Sequence, residues 1–174
     1  MRSLAVFAAL STAATLGLAA PALAESAAQP SAQPSAQASR VTVTLGPDLQ
    51  KEVDKLGQRE VDEQVARLQT AVGDALAQSS AYPDATAVLV LKDLKPNRPT
   101  FEQTARTPGL DPIRSRSVGG ASIEGEIITA DGRRIPVQYS YSTSNLRDVI
   151  GYGVWWDANR TFDRFADRIE NGRF

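Results

Sequence analysis

Glu124 and Glu126 stand two residues apart in the stretch ASIEGEII, and on an extended strand that spacing puts both carboxylates on one face. Such a pair can divide proton donation and acceptance, as in glycoside hydrolysis, or offer oxygen ligands to a hard cation. A solvated outer face gives the same pattern with no chemistry attached. The rest of the chemistry is narrowed by what is missing, for the 174 residues include neither histidine nor cysteine. Nucleophile–imidazole triads, thiolate catalysis and His/Cys zinc or haem ligation are excluded. No catalytic residue, metal set or cofactor is assigned, and a carboxylate-dependent hydrolase or lyase is the enzymatic alternative that survives.

The second concentration of reactive groups is basic. Lys92, Lys95, Arg98, Arg106, Arg114 and Arg116 against Asp93, Glu102 and Asp111 leave segment 92–116 at net +3. Lys95, Arg98, Arg106, Arg114 and Arg116 form a binding rim with Arg133 and Arg134 if the loops bring them together. Guanidinium forks there suit the phosphate of an anionic envelope component, or an acidic envelope protein. Solvated loop charge is the competing reading. Trp155-Trp156 reads as an anchor for the last helix, with a sugar platform as the sharper alternative. Gly119-Gly120 precedes a strand rather than a helix, so it predicts a bulge or sharp bend and not a phosphate-cradling loop.

The elements that position these groups follow from periodicity. Met1-Arg2, an apolar run over 4–20 and Ala22-Leu23-Ala24 read as a secretory signal over 1–24, cleaved after Ala24. The expected destination is the periplasm or the medium, with no membrane span after cleavage. Residues 25–40, ESAAQPSAQPSAQASR, have almost nothing to bury and read as a disordered tether. Residues 41–174 are the size of one domain. Without the signal the chain keeps 18 basic residues against 20 acidic ones, which argues against a nucleic-acid binder.

Within the domain, VTVTL at 41–45 reads as a strand, and a short stripe of Leu49, Val53 and Leu56 is interrupted at Gly57. A second stripe of Val61, Val65, Leu68, Val72 and Leu76 predicts a helix over 59–78, with a kink near Gly57. The stretch 85–93 is apolar on both faces along Val88 to Leu91, which predicts a central strand covered on both sides. Pro96 and Pro99 exclude helix beside them, and the chain reads as irregular from there to Ser117.

The stretch 121–142 predicts a β-hairpin. A three-residue loop, Ala130-Asp131-Gly132, pairs Ile127 with Ile135 and Gly125 with Val137, whereas a two-residue turn would oppose Ile127 to Pro136. Glu124, Glu126, Arg134, Gln138 and Ser140 then face solvent, Ile128 is an apolar exception, and Pro136 belongs at an edge. Residues 149–156 predict a short strand or crossing. Asp157 is a good cap for a helix over 158–170, whose Ala158, Phe162, Phe165 and Ile169 repeat at helical spacing.

Three stretches, LVLKDLKPNRPT at 89–100, SVGGASIEGEIITADGRRIPV at 117–137 and WWDANRTFDRFADRIE at 155–170, together resemble the carboxy-terminal half of the proteobacterial envelope lipoproteins of domain-of-unknown-function family 3313. The resemblance implies an exported α+β domain without assigned activity and supplies no catalytic residue. The lipid-bearing cysteine of that family is absent here, so acyl anchoring does not carry over. The expectation is a single α+β domain, a mostly antiparallel sheet of four or five strands with two main helices on one face. Its expected role is a non-enzymatic binding or envelope-maintenance module, with a factor acting outside the cell as a further possibility; oligomeric state is left open.

Overall fold

A computed structural model describes residues 40–149 and 151–174 of the chain. The expected signal and all of the tether but Arg40 lie outside these residues.

Elements follow in the order β1 (Val41–Leu45), α1 (Pro47–Leu56), α2 (Gln58–Gln78), β2 (Thr86–Lys95), α3 (Phe101–Arg106), β3 (Gly120–Ile128), β4 (Arg134–Ser142) and α4 (Trp156–Glu170). They form an α+β domain around one four-stranded sheet of order β1-β2-β3-β4. The sheet is mixed, because β1 pairs with β2 in parallel while β2–β3 and β3–β4 are antiparallel. Two of the three pairings are antiparallel, as a mostly antiparallel sheet of four strands requires, and β1–β2 is the parallel exception. Two strands joined through two helices return in the same direction, as crossover connections do.

The first crossover is shaped by two residues. Pro47, with no amide to satisfy, opens α1, and Gly57 closes it at φ 95°, a left-handed turn that donates its amide to Val53 O at 2.8 Å. The kink expected near Gly57 is therefore a complete break between two helices. Leu49, Val53 and Leu56 of α1 and Val61, Leu68, Val72 and Leu76 of α2 are all buried.

The hairpin has the predicted register, with Ile127 opposite Ile135, Gly125 opposite Val137 and Ile123 opposite Tyr139. Gly132 takes φ 84° and donates to Thr129 O at 2.9 Å, closing the three-residue loop. Pro136 lies on the edge strand opposite Glu126, where a missing amide interrupts no ladder.

Val41, Ala87, Leu89, Leu91, Ile123, Ile127 and Val137 form the buried face of the sheet. Phe162, Phe165 and Ile169 of α4 and Leu68 and Val72 of α2 belong to the same core and are fully buried. Each such side chain is worth roughly 1.5–3 kcal/mol of burial. Arg164 and Arg168 reach back over the rings of Tyr141 and Tyr139, 4.3 and 4.9 Å from their centroids. These arginines thus roof β4 as well as facing solvent.

The other face of the sheet is open, and here β2 departs from expectation. Val88 is 45% exposed and Val90 only half-buried, so the strand is covered on one side. All the core helices share the opposite face, and nothing in a short run of β-branched residues distinguishes one covered face from two. Between Leu91 and Asp93 the β2–β3 register shifts at Lys92. This bulge returns Leu94 to the buried face, opposite Ala121.

Three further readings are corrected. Residues 101–106, expected to be irregular, form α3, because Thr100 and Gln103 make a reciprocal capping box: Thr100 Oγ1 accepts from Gln103 N at 3.2 Å and Gln103 Oε1 from Thr100 N at 3.0 Å. No strand forms among the described residues of 149–156, and a 3-10 turn at Leu146–Val149 leads in. The last helix begins at Trp156, so Asp157 is not its cap but sits inside its first turn.

Candidate functional site

Asp157 is fully buried, and so is Asn97, the residue between the two prolines. Asn97 Nδ2 donates to Asp157 Oδ2 at 2.6 Å, Thr143 Oγ1 donates to Asp157 Oδ1 at 2.8 Å, and Asp157 N donates back to Asn97 Oδ1 at 2.9 Å. The carboxylate also lies in the first turn of α4, where the helix dipole favours negative charge. This knot ties three chain segments together. Asn97 N donates to Val154 O at 2.7 Å, while Ser117 N donates to Asn97 O at 2.9 Å. Ser117 Oγ adds a bond to Pro96 O at 2.6 Å.

Gly119 makes the crossing possible. A Cβ there would come 2.4 Å from Asn97 Oδ1 and 2.7 Å from Nδ2, inside both atoms' contact distance. The Gly-Gly pair therefore marks a close backbone approach at the entry to β3, where the β2–β3 register runs without the expected bulge. The signal was present in KPNRP, GG and WD, but only the fold shows that the three meet.

Around the knot the remaining loops are fastened by one arginine and one glutamate. Arg98 donates through Nε to Tyr152 O and through its terminal nitrogen to Ile113 O. Glu60, reaching from α2, accepts from Phe101 N at 3.0 Å and from Trp155 Nε1 at 3.2 Å. Trp155 is thus the anchor expected of it, but Trp156 is not, being 48% exposed and stacked on Tyr152 with centroids 5.0 Å apart. Asp111 holds loop 111–115: its Oδ1 accepts from Arg114 N at 2.8 Å and Ile113 N at 2.7 Å, and those backbone donors lower its carboxyl pKa.

This end presents apolar side chains to solvent among its charged and polar ones. Of the seven large apolar side chains exposed among the described residues, six are here: Phe101 at 75%, Ile113 at 77%, Leu110, Val118, Leu146 and Trp156. Only Val88, on the open sheet face, lies elsewhere. Arg114 and Arg116, from the same loop, have no carboxylate partner among the described residues, whereas Arg106 pairs with Glu102.

The proposed basic rim does not assemble as one surface. Lys95 pairs with Gly120 at one end of the sheet, whereas Arg134 pairs with Ile128, itself opposite Thr86, at the other. Nine residues of β2 separate the two ends, roughly 30 Å. Arg133 pairs with Asp131 at 2.8 Å and Arg134 with Glu126 at 2.7 Å, so the hairpin tip is internally neutralised. Lys95 pairs with Asp93 at 2.5 Å, and the Arg98 guanidinium is spent on carbonyls. Of the seven basic residues, Arg114 and Arg116 keep their charge for a ligand.

Glu124 and Glu126 share the open face, as their spacing requires. Glu124 takes Lys92 Nζ at 2.9 Å and Glu126 takes Arg134, so each acid has its own cation. Among the described residues no three acidic side chains gather as a metal-binding cluster.

Three clefts open at the knot end, of about 320, 340 and 300 Å³, and Lys95 lines all of them. The middle one runs between α3 and the 110–118 loop, with walls of Pro96, Pro99, Leu110 and Val118. Compared with known proteins, the chain matches no family, no curated protein and no solved structure.

Proposed function

We propose that this chain is an exported, non-enzymatic binding module of the cell envelope, and that it docks through the end of the domain built on Asn97 and Asp157. One observation carries the reading: the exposed apolar side chains are concentrated on the loops and helix starts around a buried carboxylate knot, with the guanidinium groups of Arg114 and Arg116 among them. Aromatic and arginine side chains, here Phe101, Trp156, Arg114 and Arg116, are the types binding surfaces are enriched in. The partner is an envelope protein or envelope component with an anionic, partly apolar face. Export and a periplasmic destination are supported by the leader-like segment 1–24.

The test is site-specific photo-cross-linking in cells, with the reactive residue at Phe101 or Ile113 and, as control, at Arg133. A discrete adduct is expected from the first two and not from the third, in the periplasmic fraction. Charge reversal at Arg114 and Arg116 should weaken capture, and more so at low ionic strength, where screening is least. Equal products from hairpin tip and knot end, or none from either, refute the docking end. Mass spectrometry of the exported chain should find Glu25 as its first residue; a chain retaining residues 1–24 refutes the export reading.

A further inference from the structure

The 340 Å³ cleft between α3 and the 110–118 loop has a composition that selects a ligand class. Four of its residues, Pro96, Pro99, Leu110 and Val118, are apolar, none is acidic, and of its two cations Lys95 is paired with Asp93 outside the cleft, which leaves Arg116. Leu110 and Val118 are each 37% exposed, so the apolar wall is open to a ligand. Gln103 uses its Oε1 to cap α3, which leaves its Nε2 as a donor beside the same wall. Arg116 has no carboxylate partner among the described residues, and an unpaired guanidinium is the natural seat of a carboxylate or phosphate.

We infer that this cleft binds a medium-chain amphiphilic anion, with its apolar chain along Pro96, Pro99, Leu110 and Val118 and its acidic head on Arg116. At about 340 Å³ the cleft lies at the small end of ligand sites, which suits a short body rather than a long one. An apolar wall alone would take a neutral chain as readily; the unpaired Arg116, with no acid in the lining, makes the cleft prefer an anion. Pro96 and Pro99 keep the wall preformed, since their backbone angles are fixed before any ligand arrives. The 110–118 loop is held by Arg98, Asp111 and Ser117, so little ordering remains for a ligand to drive.

This inference deepens the proposed docking end and rests on it, naming one chemistry that the end recognises. The probe is octanoate, which has ten non-hydrogen atoms, with octanol and acetate as controls lacking the charge or the chain, all followed by amide chemical shifts in the full domain. Octanoate is expected to shift resonances within residues 95–118, and to bind at least tenfold more tightly than either control. Arg116→Gln should cost octanoate at least tenfold, as a lost charge-assisted hydrogen bond does, and leave octanol unchanged. Val118→Asp, on an exposed position, should abolish octanoate binding by repulsion. Equal binding of octanol, shifts confined to the open sheet face, or an indifferent Arg116→Gln overturns the inference. Retained cross-linking from Phe101 with no octanoate binding overturns the cleft alone, whereas loss of both overturns the docking end as well.

Discussion

Removing the Asn97 side chain should unpin the whole docking end, and its cost can be worked from the structure. Asn97→Ala deletes a 2.6 Å bond to a buried carboxylate and a 2.9 Å bond from the Asp157 amide, and leaves Thr143 as the only side chain bonded to the Asp157 carboxylate. Hydrogen bonds to charged groups are worth about 1.5–3 kcal/mol, and a buried amide left without an acceptor adds about 1–3 kcal/mol. Allowing for partial relaxation, the loss should be about 3–5 kcal/mol, a large share of a domain's usual stability of about 5–15 kcal/mol. For a domain of this size that is a fall of about 10–20 °C in Tm. Urea unfolding followed by circular dichroism measures it directly. Because Asn97 and Asp157 share their bonds, a double-mutant cycle with Asp157→Ala should show a coupling of at least about 1 kcal/mol. A single-variant loss under about 1 kcal/mol, or additive losses in the cycle, would show that the knot does not hold these loops.

Other consequences are quicker to check. Asp131 is held at a pKa of about 2, below its ordinary 3.8, chiefly by the Thr129 hydroxyl and next by Arg133. A depressed carboxylate stabilises the fold above its unfolded pKa, so this contribution should be complete above about pH 4 and fade as pH falls toward 2. An NMR titration of the Asp131 side chain with a midpoint near 4 would refute it. Gly119→Ala should cost about 1–3 kcal/mol, because the new methyl must displace the Asn97 side chain; a neutral effect in the same urea assay would mean that Asn97 can swing aside. Replacing Glu124 and Glu126 by Gln breaks two pairs that are largely open to solvent. Thermal unfolding should register under about 1 kcal/mol for each.

Much of the architecture was legible because side-chain period reports directly on which face is buried. The hairpin register followed from parity alone, since a one-residue slip would have put Ile127 opposite Pro136, and the structure pairs Ile127 with Ile135. The stripes of α2 and α4 were equally plain, since their spacings admit one apolar face. Period says nothing of what lies across that face, however. Val88 to Leu91 looked doubly covered, yet all the core helices sit on one side of the sheet and leave Val88 outside.

Where the chemistry-bearing groups meet was decided by tertiary structure. Counting arginines along the chain joined segment 95–116 to the hairpin tip, but the antiparallel pairing of β2 with β3 sends those two to opposite ends of the sheet. Asp157 looked like a cap because capping is a local property, while its actual partners, Asn97 and Thr143, stand 60 and 14 residues away. Local spacing fixes local geometry because bonded neighbours share a backbone path. Contacts between distant segments depend on how the sheet is ordered, and that order is set by which packing buries Phe162, Phe165 and Ile169 best, a quantity no single stretch contains.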